Sequence, residues 1–132
     1  MESNNFKKLK ATITLEFVIL FPLFLSIILL IFNLIIFNNN NFKTLYLTAE
    51  TAKFARLPST ETEQQIINFA NNQLADLNID PEDTTITIAS TNGLTNPGSI
   101  ISITTEVTLS NKIIFLPKKI THIFSSFKEG SN

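Results

Sequence analysis

The chain has 132 residues and a formal net charge of −1. That length suits one domain rather than two, and with Arg56 as its one arginine the chain lacks the clustered basic face that nucleic-acid binding needs. Cysteine is absent, which excludes disulfide staples and thiolate metal sites.

The N-terminal stretch is basic, with Lys7, Lys8 and Lys10, and it leads through Ala11 and Thr12 to a single acid, Glu16. Residues 17–37 then read FVILFPLFLSIILLIFNLIIF. A cleaved secretory signal has an apolar stretch of about 7–15 residues closed by small side chains. This run is longer and ends in Asn38, Asn39, Asn40 and Asn41, so a permanent anchor is expected. About twenty apolar residues cross a bilayer as a helix. The lysine bias places residues 1–11 in the cytoplasm and the bulk of the chain on the far side. Within the span, Pro22 removes one helical hydrogen bond. Ser26 and Asn33, two turns apart, would hydrogen-bond either to another helix or to their own backbone.

Helical character resumes after the asparagines. Leu45, Ala49, Ala52 and Arg56 recur at a spacing of 3–4, and Ala49, Ala52 and Ala55 form a stripe of small residues. One continuous helix over 12–56, roughly 65 Å long at 1.5 Å per residue, is the expectation, although asparagine is a poor helix former and would mark any break at the membrane surface. Leu57 and Pro58 end it. Thr60 and Glu63 have the spacing of a capping box, with Glu61 adding negative charge to the first turn. Ile66, Ile67, Phe69, Ala70, Leu74 and Leu77 then predict a second, amphipathic helix over 60–77, stopped by Pro81.

Beyond Pro81 the period changes. Ile86 and Ile88 alternate with threonines, and Asn92-Gly93 and Asn96-Pro97-Gly98 are turn signals. Ile101, Ile103, Thr105, Val107 and Leu109 alternate as in a half-buried strand. Ile113 to Leu116 is an apolar patch closed by Pro117. The last segment, KITHIFSSFKEG, fits a helical stripe through Ile120, Ile123, Phe124 and Phe127, but its β-branched and aromatic content favours a strand.

Three candidate sites emerge. Glu16 stands at the mouth of the apolar run, where a carboxylate is costly without a partner and is a functional candidate by default. The bland alternative is a helix-start carboxylate at headgroup level, favoured by the helix dipole. Asp76, Asn78 and Asp80 occupy the first three ligand positions of a calcium loop, but Pro81 replaces the needed glycine and Thr87 the closing glutamate, so a solvated helix end is the better reading. His122 is the one histidine. No nucleophile, metal-protease or phosphate-loop motif accompanies it, and Glu61/Glu63 and Glu82/Asp83 read as solvated acids. Neither an enzyme, a cofactor nor a metal site is expected.

The string from Lys7 through Ala11, Thr12-Ile13-Thr14-Leu15-Glu16-Phe17 and the unbroken span resembles the processing region of type IV prepilins. In that superfamily a prepilin peptidase cuts on the cytoplasmic side and the acid is the fifth mature residue, which implies a cut between Ala11 and Thr12. The closer similarity is to TadE-like pseudopilins of tight-adherence (Flp-type) pilus systems. Glu16-Phe17 followed by Pro22 matches that family's pattern, and residues 48–56, ending in Arg56, resemble its alanine-rich helix; the C-terminal half is similar more loosely. The family pattern has glycine before the cut where this chain has Ala11. An uncleaved, single-pass anchored binding module therefore stands as the alternative.

The resemblance implies a salt bridge between Glu16 and the new α-ammonium of Thr12 on a neighbouring subunit, each charge offsetting the other's desolvation. It also implies subunit assembly through Glu16, Phe17 and Pro22. The implied partners are the prepilin peptidase, the pilus assembly platform and a sister pseudopilin or the major pilin, at the inner membrane of a bacterium. The expected architecture is α+β and pilin-like: a cytoplasmic leader (1–11), a transmembrane helix (12–40), its extramembrane continuation (41–57) and a small periplasmic module (58–132). That module would hold the second helix and an antiparallel sheet of three or four strands.

Overall fold

The computed structural model describes the backbone of residues 2–109 and 117–130, and the side chains of Thr14 and of these residues from Glu16 onward. The layout is α+β. A long helix α1 (Glu2–Arg56) is followed by α2 (Glu63–Leu77), a single 3-10 turn (Pro81–Asp83), and strands β1 (Thr84–Ser90), β2 (Ile100–Thr108) and β3 (Lys119–Phe127). The apolar patch Ile113 to Leu116 lies outside the described residues. The chain divides into two compact units, Met1–Phe37 and Asn38–Asn132.

Within the first unit, residues 17–37 of α1 are apolar around the helix apart from Ser26 and Asn33. Pro22 sits inside the helix, and Ser26 donates from Oγ to the Pro22 carbonyl at 2.7 Å, so this serine serves its own backbone rather than a neighbouring helix. Phe17 and Phe21, one turn apart, stack with ring centroids 5.6 Å apart. Among the described residues α1 is the helix long and apolar enough to cross a membrane, and none of its apolar window is buried within the chain. A helix that is hydrophobic all round belongs in a protein core or in lipid.

In the second unit the helical backbone runs through the four asparagines without a break. The buried face of α1 here differs from the expected stripe. Thr44, Leu47, Thr48, Thr51, Ala52 and Ala55 are buried, whereas Leu45 is exposed. Two of these threonines serve their own backbone: Thr48 Oγ1 donates to Thr44 O at 2.7 Å and Thr44 Oγ1 to Asn40 O at 2.8 Å. Such back-bonding satisfies a hydroxyl inside a helix and presents its methyl to the core.

Helix α2 starts two residues later than its first capping signal suggests. The capping box is Thr62 with Gln65: Gln65 N donates to Thr62 Oγ1 at 3.3 Å and the Gln65 side chain accepts from Thr62 N at 3.1 Å. Thr60–Glu63 has the same spacing, but the Thr60 hydroxyl is drawn inward to the Phe54 carbonyl at 2.8 Å, and Glu61 falls before the helix. Ile66, Ala70 and Leu74 form the buried stripe. The helix ends at Asn78, whose left-handed φ of 52° turns the chain well ahead of Pro81; asparagine is among the few residues that tolerate this region.

The sheet is an antiparallel meander in the order β1-β2-β3. The C-terminal segment is indeed a strand, pairing Ile103 with Phe124 and Val107 with Ile120. On β2 the alternation resolves as expected, with Ile101, Ile103, Thr105 and Val107 buried. Gly93 (φ 89°) and Gly98 (φ 79°) shape the β1–β2 connection. Two adjoining clusters make the core. Ala52, Ala55, Ile66, Ile101 and Ile103 form one, with Phe54, Ile86, Ile88 and Leu94 at its margin; Leu47, Ala70 and Leu74 form the other. Phe54 stacks on Phe69 of α2 with centroids 4.3 Å apart.

Candidate functional site

The sequence-derived site lies on the first unit of α1. Ala11 and Thr12 fall on its helical backbone, but their side chains are outside the described residues. Glu16 is exposed and begins the apolar window. Phe17 is 66% exposed. A helix places residues three and four apart on one face, so Glu16 shares a side with Leu20, one turn on. The carboxylate thus borders large exposed apolar side chains on its C-terminal side.

The second unit contains an unanticipated polar centre at the C-terminal end of α1. Lys128 follows β3 and is buried. Its Nζ donates to Ala55 O at 3.2 Å and also to the carbonyls of Leu57 and Thr60. The last carbonyls of a helix have no intrahelical donors and carry the negative end of its dipole, so a cation fits there. Burial pulls the Lys128 pKa below its ordinary value, and the Glu61 carboxylate acts in the opposite direction. Beside it, Arg56 Nη2 lies 2.6 Å from Glu129 Oε1, and Glu129 N donates to Arg56 O at 2.9 Å. The final turn of α1 is thus clamped to the end of β3 by two adjacent residues. Both sit beyond the last strand, in a stretch whose KEG composition gives no signal of burial.

His122 Nε2 donates to Asn41 Oδ1 at 2.9 Å, linking β3 to the asparagine run of α1. Asn78 and Asp80 are likewise committed to the backbone: Asn78 ends α2, and Asp80 Oδ1 accepts from Glu82 N at 2.9 Å to start the 3-10 turn. No group of three metal-ligating side chains converges among the described residues. Thr51 and Thr105 each bury an Oγ1 that has no hydrogen-bond partner among the described residues.

Comparison with known protein families, curated proteins and solved structures found no match.

Proposed function

We propose that this chain is a minor pilin or pseudopilin of the TadE type: a prepilin-peptidase substrate that helps assemble a tight-adherence (Flp) type IV pilus. In this reading α1 crosses the inner membrane with residues 1–11 in the cytoplasm, and the α+β module lies outside it. The observation that carries the reading is Glu16, an exposed acid at the entrance of an apolar helix, followed at the family's spacing by Phe17 and Pro22.

Cleavage between Ala11 and Thr12 would create an ammonium four residues before that acid. Paired across two subunits, the charges would set the axial register between neighbouring helices; either one left alone in lipid would be heavily penalised. The chain itself does no covalent chemistry in this scheme. Its partners are the peptidase, the membrane assembly platform and a sister pseudopilin or the major pilin.

Ala11 in place of glycine favours one other reading, an uncleaved single-pass anchor carrying a binding module outside any fibre. The mature N-terminus separates the two. Mass spectrometry of the membrane-extracted protein should find Thr12 first; an N-terminus that retains the basic leader, in a host that trims its other pilins, supports the anchored module instead. In the processed protein Glu16→Ala should remain inserted and cleaved yet fail to support piliation. Normal piliation in that variant refutes the pairing.

A further inference from the structure

Among the described residues the meander leaves two open edges, β1 and β3, which run in the same direction because each is antiparallel to β2. Hydrogen bonds flanking the ladder show which backbone groups face outward. Leu109 N donates to Lys118 O and Lys128 N to Ser99 O, so the even-numbered residues of β3 point their amides and carbonyls at β2. Antiparallel ladders alternate, and Lys119, Thr121, Ile123, Ser125 and Phe127 therefore turn theirs to the free edge. All five side chains are exposed, Ile123 and Phe127 at 67% and 69%. On β1 the bond from Thr91 N to Ile100 O leaves the backbones of Ile86, Ile88 and Ser90 facing outward. A bare edge of this kind is a template for another strand.

The charges at the strand starts select the strand. β3 is entered through Lys118 and Lys119, and β1 through Glu82 and Asp83. Lys119 already pairs with Glu106 at 2.6 Å, but Lys118 and Glu82 are exposed and form no ion pair among the described residues. We propose that the β3 edge of one copy takes the β1 edge of a second copy as a parallel strand, with Lys118 beside Glu82 and Lys119 beside Asp83.

In this register Thr121 lies beside Thr85, Ile123 beside Thr87 and Phe127 beside Thr91, all on the outer face. Phe124 and Ile88 meet on the inner face, so the core side of the sheet continues across the junction. The outward amides and carbonyls of β3 interleave with those of Ile86 and Ile88, as a parallel ladder requires. The parallel contact joins unlike surfaces and is therefore heterologous, extending head to tail rather than closing as a dimer. Its few ladder bonds make it weak in dilute solution, and co-anchoring in one membrane would raise the effective concentration. None of this depends on the pilus assignment.

The test uses the full-length chain in membranes, where the engineered cysteines are this protein's only thiols. Differently tagged copies carrying Thr121→Cys and Thr85→Cys are co-expressed and treated with a short bis-methanethiosulfonate linker. A mixed cross-linked dimer is expected, and a ladder of higher species when both cysteines share one chain. Lys118→Glu in the first copy should reduce the product several-fold, and Glu82→Lys in the second should restore it. Restoration in trans shows that Lys118→Glu has not simply misfolded. Absence of the mixed product, insensitivity to both charge changes, or stronger self-linking of Ile123→Cys (the centre of an antiparallel β3 pair) overturns the proposal.

Discussion

Replacing Lys128 with methionine keeps an unbranched apolar stem and removes the terminal ammonium. In the native protein that group donates to the carbonyls of Ala55, Leu57 and Thr60 while its stem is buried. A hydrogen bond to a charged group contributes about 1.5–3 kcal/mol, and a buried acceptor left bare costs about 1–3 kcal/mol. Water at the loop would reach some of the three carbonyls, so a net loss of roughly 2–3 kcal/mol is expected rather than the full sum. For a module of this size each kcal/mol moves the melting temperature by about 4–8 °C, which makes the expected drop about 10–20 °C. Pulse proteolysis of the full-length protein in detergent, across a urea series, isolates unfolding of the second unit from the persistent helicity of the first. A loss below about 0.5 kcal/mol, the range of ordinary surface substitutions, would refute the reasoning and show that water replaces the ammonium.

The pH dependence of the same pair supplies a sign. Burial lowers the Lys128 pKa from 10.5 in the folded state, so between that lowered value and 10.5 the unfolded chain holds more protons at this site. Stability contributed by Lys128 therefore rises with pH across that window and is withdrawn below it. The gap between wild type and Lys128→Met should widen as pH climbs towards 10.5, and a narrowing gap contradicts the burial argument.

Two further substitutions probe the packing and the cap. Ile103→Ala, at a fully buried position in the larger core cluster, should cost about 2–5 kcal/mol; a urea midpoint within error of wild type would mean that the core does not close there. Thr62→Ala removes the side-chain cap of α2 and should cost about 1 kcal/mol, with hydrogen exchange accelerating first at Gln64 and Gln65. Equal acceleration throughout α2 would show that the helix opens as a unit.

Much of the fold is legible along the chain because its signals are local. An unbroken apolar run announces α1, the spacing of Ile66, Ala70 and Leu74 announces α2, and alternation from Ile101 to Val107 announces β2. For the last strand only β-branched and aromatic content points to an extended conformation, and the segment indeed pairs with β2. The acid at Glu16 is likewise visible without coordinates, because a charge beside an apolar run needs no tertiary contact to be conspicuous.

Tertiary structure decided what depends on distant partners. Two capping boxes were available two residues apart, and only the demand of the Phe54 carbonyl for the Thr60 hydroxyl made Thr62 the cap. On the buried face of α1, Thr44, Leu47, Thr48 and Thr51 join Ala52 and Ala55 of the expected stripe, while Leu45 turns outward; the Thr44 and Thr48 hydroxyls bond to their own helix, which lowers the cost of burying them. Lys128 has a solvated composition around it, and its burial follows from where β3 delivers it, over the open carbonyls that end α1. Periodicity reports which side chains prefer a core, but not which backbone groups another element will bring within reach; hydrogen bonds of that kind are settled only when the chain closes on itself.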